Sequence, residues 1–131
     1  MDAPGGKTYL RGVTGSSLKT PATEIVCTLT NARKSASLTL RKTWANANIG
    51  DAVTVSTTGA ANNASLNSTA GTANETDTGS PVTVYVGEQV TISESFTSGT
   101  AANYTSSLAC TGNGTALAGN VLTVNAADTA I

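Results

Sequence analysis

Asn31, Lys42 and Glu94 stand where the alternation of the chain calls for apolar side chains. In EIVCTLTN (24–31), Asn31 falls on the face of Ile25, Cys27 and Leu29. In SLTLRKTW (37–44), Lys42 falls with Leu38 and Leu40, and in EQVTISESF (88–96), Glu94 falls with Val90, Ile92 and Phe96. Each polar group thus points toward a prospective core. Burying an unpaired lysine or glutamate costs several kcal/mol, so the three demand either pairing or chemistry. Pairing would be a buried Lys42–Glu94 salt bridge, with the lysine stem snorkelling at a strand end and Asn31 forming a turn.

Cys27 and Cys110 lie far apart with no CxxC spacing. That indicates neither a metal site nor a thioredoxin-like motif, and an extracellular disulfide fits better. Histidine is absent from the 131 residues, which removes the usual base near neutral pH and the commonest metal ligand, and with them most hydrolase triads and zinc sites. No catalytic machinery, cofactor or metal is expected. Charged residues make up only 11% of the chain, against roughly a quarter in ordinary globular proteins. The net charge of −1 gives no reason to expect nucleic acid. All seven Lys and Arg residues lie at or before Lys42, opposed there only by Asp2 and Glu24, and the remaining carboxylates follow. A basic head and an acidic body suit head-to-tail association of identical chains, or else a solvated basic arm. MDAPGGKTYL has no apolar core of a signal peptide, and no apolar run is long enough to span a bilayer, so membrane insertion is not expected.

The elements that must position these side chains follow from the same alternation. Residues 1–24 read as a flexible or weakly structured arm with a weak strand near 7–13, and 25–31 as a half-buried strand. ARKSAS (32–37) reads as a polar linker, SLTLRKTW as a second strand, 46–51 as a turn and AVTVST (52–57) as a third strand. Residues 58–80 are a low-complexity stretch of Ala, Asn, Thr, Ser and Gly, expected to form exposed loops with one surface strand around Leu66. PVTVYV (81–86) and EQVTISESF are strands joined at Gly87; NYTSSLACTG (103–112) and NVLTVNAA (120–127) complete the set. No segment has helical period. Short alternating strands between Gly and Asn turns imply an all-β, antiparallel β-sandwich over 38–131.

The order LTLRKTWANANIGD, VYVGEQVTISESF, NYTSSLACTG resembles the tandem repeats of bacterial surface adhesins, in the prealbumin-like group related to the Cna B-type domains of Gram-positive pilins. The resemblance covers about residues 24–131 and implies an Ig-like or prealbumin-like sandwich. Such a repeat closes with a strand similar to IVCTLTN, which stands here at 25–31, ahead of the repeat. After Ile131, where the closing strand is expected to begin, the chain stops; Thr23 and Ile25 recur in the same spacing as Thr129 and Ile131. In the resembled domains a lysine of the first strand attacks an asparagine carboxamide on the last, assisted by a buried glutamate. Lys42, Asn31 and Glu94 match those positions by strand order and parity, which implies an autocatalytic isopeptide bond. Desolvation favours the neutral amine as nucleophile and the protonated carboxyl that polarises the amide, and ammonia leaves. The sequence departs from the family in having Thr100-Ala101-Ala102-Asn103-Tyr104 where Pro-Gly-Tyr commonly follows the glutamate. The resembled repeats carry a cysteine at both places, which implies a Cys27 to Cys110 disulfide.

A sandwich lacking its own final strand has an unpaired edge and an open core unless another strand fills it. The expected filler is the assembly strand Ile25-Val26-Cys27-Thr28-Leu29-Thr30-Asn31. In the resembled domains the first and last strands are parallel, and a parallel connection needs a dozen or more residues. The linker ARKSAS spans only roughly 20 Å, so donation to a neighbouring copy is favoured over self-closure. Repeated head to tail, this gives a filament in which Cys27 of one chain meets Cys110 of another. The expectation is a non-enzymatic structural subunit of an extracellular, cell-surface bacterial fibre or adhesin stalk, with itself as partner. The alternatives are an adhesin domain that binds a glycan or host protein through the 58–80 loops, and a monomeric fragment of a tandem-repeat stalk. Lone Trp44, with no cluster of exposed aromatics, weighs against a sugar platform.

Overall fold

The structure, a computed structural model, describes residues 23–131. The chain divides into two compact units, one ending at Asn31 and one spanning Ala32–Ile131. The arm expected over 1–24, with its strand near 7–13, lies outside the described residues except for Thr23 and Glu24. Residues 23–31 form no strand, and Ile25, Val26 and Leu29 are 87%, 69% and 88% exposed. The half-buried strand expected at 25–31 is therefore not formed. Alternation marks which side chains could be buried together, but a ladder partner is needed to bury them.

The second unit contains β1 (Ser35–Leu38), β2 (Arg41–Trp44), β3 (Ala52–Thr58), β4 (Ser65–Thr69), β5 (Glu75–Thr78), β6 (Val82–Tyr85), β7 (Gln89–Ser98) and β8 (Val121–Thr123). β1 pairs antiparallel with β6 and β2 with β5. Between them the Gly79 amide donates to the Leu40 carbonyl, so β1–β2 and β5–β6 are the two halves of one long ribbon. The other sheet has the order β4-β3-β7-β8 and is antiparallel throughout. Leu38, Leu40, Trp44 and Val84 of the ribbon share one core with Val53, Val55, Leu66, Val90, Ile92 and Leu122 of the four-stranded sheet. This is the expected all-β sandwich.

Three local expectations change. Ser35, Ala36 and Ser37 belong to β1 rather than to a linker, because Ala36, 4% exposed, is enough to continue the buried face between two serines. The stretch 58–80 supplies β4 and β5, and Ala64, Leu66 and Ala70 are buried. The surface strand expected around Leu66 is β4, with Leu66 and Ser68 turned into the interior, whereas β5 was not anticipated because ETDT carries no apolar side chain. Conversely, NYTSSLACTG joins no ladder among the described residues; a single 3-10 turn, Ala101–Asn103, precedes it.

Residues 129–131 run parallel along the free edge of β1. Ser37 N–H donates to Thr129 O at 3.0 Å, Ile131 N–H to Ser37 O at 2.8 Å, and Thr39 N–H to Ile131 O at 2.9 Å. β1 thus has a short parallel neighbour at its C-terminal end.

The core is made of few large side chains, so each one matters. Leu122 has no solvent exposure, and Leu122→Ala is expected to cost about 2–5 kcal/mol. Urea unfolding should show a lowered midpoint at unchanged slope; a midpoint close to that of the parent chain would contradict the packing described.

Candidate functional site

Among the described residues, the outer edge of the ribbon has no ladder partner past Thr39. Thr39 turns its amide toward Ile131, whereas Leu40 turns its carbonyl toward Gly79. Arg41 and Thr43 share the parity of Thr39, so their N–H and C=O groups point away from β5. Among the described residues, β2 pairs only with β5. Residues 104–112 form the opposite wall. Gly112, at φ 82°, lies so close against the Ala130 carbonyl that no Cβ would fit. At the other end, the Tyr104 ring meets Trp44 of β2 edge-on, with centroids 5.7 Å apart. Residues 104–112 thus run from Gly112 against Ala130 to Tyr104 against Trp44, and the strip between them and the unpaired edge of β2 is termed the groove.

Lys42 and Glu94 make the groove's polar floor. Lys42 Nζ lies 2.5 Å from Glu94 Oε2, and the two side chains are 17% and 23% exposed. The ammonium also sits 4.6 Å from the Trp44 ring centroid, a cation–π contact. From the opposite wall, Ser106 Oγ donates to Glu94 Oε1 at 3.3 Å. Parity explains the meeting: Glu94 follows Val90 and Ile92 on the inner face of β7, and Lys42 follows Leu40 on that of the ribbon. Beyond the pair, Trp44, Phe96 and Tyr104 pack in a triangle with centroids 5.4–6.3 Å apart. The Trp44 indole N–H donates to Ser68 Oγ at 2.8 Å, and Ser68 in turn donates to Asp77 Oδ2 at 2.5 Å, which fixes the ring.

At this end of the groove Asp51 is buried, and its carboxylate accepts from Tyr104 Oη at 2.5 Å and from Asn48 Nδ2 at 3.3 Å. Gly99, at φ 90°, closes over it; a Cβ there would come within 2.5 Å of the carboxylate carbon. Asp51 and Tyr104 also line a polar cleft of about 620 Å³ with Asn46, Thr100 and Asn103. The hydrogen bond to Asp51 holds the Tyr104 phenol above the ordinary tyrosine range, since ionisation would break the bond and set a second negative charge beside the first.

Of the residues singled out from sequence, the structure brings Lys42 and Glu94 together. Asn31 and Cys27 belong to the first unit and are exposed. Cys110 is half-buried against the core, neither thiol is in a disulfide, and burial pushes the Cys110 thiol above its ordinary value. Tyr104 and Ser106 were not anticipated, because the 3-10 turn before them interrupts the alternation that would have placed them. Trp44 was legible as an inner residue from its parity with Leu40 and Lys42. No protein-family model, curated protein or solved structure matches the chain.

The Tyr104–Asp51 contact carries a pH dependence. Because the folded-state phenol ionises above its unfolded value, its contribution is fully present below that value and is lost as pH rises through the folded one. An ultraviolet titration is expected to show one tyrosine ionising above the ordinary range, absent in Tyr104→Phe and moved back down in Asp51→Asn. Ionisation of all tyrosines in the ordinary range would contradict the contact.

Proposed function

We propose that this chain is a structural subunit of an extracellular bacterial fibre or adhesin stalk, built by adding a β-strand from one copy to the open edge of the next. One observation carries this reading: Arg41 and Thr43 turn their backbone groups into a groove that continues the parallel ladder begun by residues 129–131 on β1. A strand laid there extends an existing ladder, and main-chain pairing of that kind supplies affinity while alternate side chains supply specificity. The segment 25–31 has the required alternation, and its Ile25, Val26 and Leu29 offer exposed apolar surface to bury. Donor and acceptor are different surfaces of the same chain, so the contact repeats head to tail without closing.

The floor of the groove supports a covalent version of the same contact. Asn31 of the donated strand would approach Lys42 with Glu94 already beside it. Lys42 Nζ bonds to Asn31 Cγ, the Cγ–Nδ2 bond breaks, and ammonia leaves carrying a proton from the amine. The ion pair is equally complete as a salt bridge without Asn31. In an oxidising compartment, loss of two electrons and two protons to the oxidant would join Cys27 of the donor to Cys110 of the acceptor. The ligand-binding alternative relied on loops at 58–80, a stretch that supplies two strands and three core residues instead.

Denaturing gels of the purified chain test this. Without reductant a ladder of multimers is expected, collapsing largely to monomer with reductant. Rungs that survive reduction should each weigh one ammonia less per bond and vanish in Glu94→Ala. A chain that runs as monomer with an internal Cys27 to Cys110 bridge, and shows no polymer under native conditions, would overturn the proposal.

A further inference from the structure

Taking strand donation as given, we propose that the joint between subunits is too short for a chain to fill its own groove, so that donation runs only between chains and in a single register. The bridge between Ser37 and Ala130, with Thr39 donating to Ile131, fixes where a continuing strand must lie: the residue after position 131 falls beside Thr39. The shared spacing of Thr23 and Ile25 with Thr129 and Ile131 aligns Ile25 with Ile131. Val26 then lies beside Thr39, Cys27 beside Leu40, Leu29 beside Lys42 and Asn31 beside Trp44. Cys27, Leu29 and Asn31 share the inner side with Leu40, Lys42 and Trp44 in this register. A slip of one residue would turn Val26, Thr28 and Thr30 inward instead. Lys42 has Asn31 as its diagonal neighbour on that side, a separation that a long side chain bridges.

The same register sets the reach that self-filling would require. Lys34 is fixed to the ribbon, since its carbonyl accepts Val86 N–H at 3.0 Å. Arg33 is held as well: its guanidinium lies 4.8 Å from the Tyr85 ring centroid and donates to Val86 O at 3.3 Å. From Lys34 the ribbon extends ten residues to Trp44, a distance of about 33 Å. Asn31 would have to lie beside that tryptophan, yet three residues take it to Lys34, about 10 Å at full stretch. The shortfall is about 20 Å. Peeling β1 away from β6 to gain length would uncover Ala36 and Leu38, which are 4% and 2% exposed. A second copy faces no such limit. Asn31 can sit beside the acceptor's Trp44 while its own domain begins immediately afterwards.

The test is a full chain carrying about 24 Gly and Ser residues inserted between Asn31 and Ala32, with a mean span of about 27 Å. Light scattering after size exclusion is compared with the parent at micromolar concentration. The parent should polymerise, and the lengthened chain should shift to monomer, its monomer fraction rising about tenfold or more because the tethered strand outcompetes free ones. If both chains polymerise alike, reach does not decide the partner and the inference fails. If the parent is a monomer whose Arg41 and Thr43 amides are protected from exchange, the strand closes on its own chain; this inference fails while groove filling stands. If the parent is a monomer with those amides unprotected, and a peptide of residues 24–33 does not bind it, strand donation itself fails and the inference falls with it.

Discussion

The backbone groups of a β-strand alternate between its two edges, and among the described residues half of one edge of the ribbon has no ladder partner, the constraint from which the proposed assembly follows. The ribbon β1–β2 pairs its inner edge against β5–β6, while its outer edge is paired, among the described residues, only as far as Thr39. Arg41 and Thr43 face a groove flanked by residues 104–112, which also join no ladder among the described residues. Side-chain ligands could satisfy one or two such groups. A donated strand, as proposed, would pair along that edge and add alternate side chains to the inner face of the sandwich.

An open edge also accounts for charge at the floor. The Lys42–Glu94 pair retains enough solvent contact to count as a surface ion pair, worth at most about 1 kcal/mol. The fold rests on apolar burial around Leu38, Val84, Val90 and Leu122 instead. Covering the pair with a strand changes its position, because desolvating two charges costs more than their attraction returns unless further polar partners arrive. In the proposed register Asn31 would be the polar residue of 25–31 on the inner side, diagonal to Lys42.

Much of this was legible in the sequence, and what was not has physical causes. Parity alone placed Lys42 and Glu94 on inner faces, because period-2 alternation survives wherever a strand is regular. It located β4 around Leu66, though as a surface strand rather than one with Leu66 and Ser68 buried, and it missed β5, whose ETDT carries no apolar side chain and resembles a loop in composition. It overreached for 25–31 and 103–112, two stretches with strand-like alternation and no ladder in the described chain. In the proposed assembly, 25–31 would fill the groove that 104–112 flank. The Asp51–Tyr104 bond and the Ser68–Asp77 support of Trp44 link residues distant in sequence through single hydrogen bonds, and no local pattern announces them.

Amide hydrogen exchange at Arg41 and Thr43 tests the central claim most directly, because those two N–H groups point away from β5 and have no ladder partner among the described residues. In the assembled full chain they should be protected to the level of neighbouring ladder amides, and protection should disappear in a chain carrying Leu29→Asp, which cannot bury the donated strand. Rapid exchange of both amides in the assembled chain would show that no strand occupies the edge, and strand donation would be wrong.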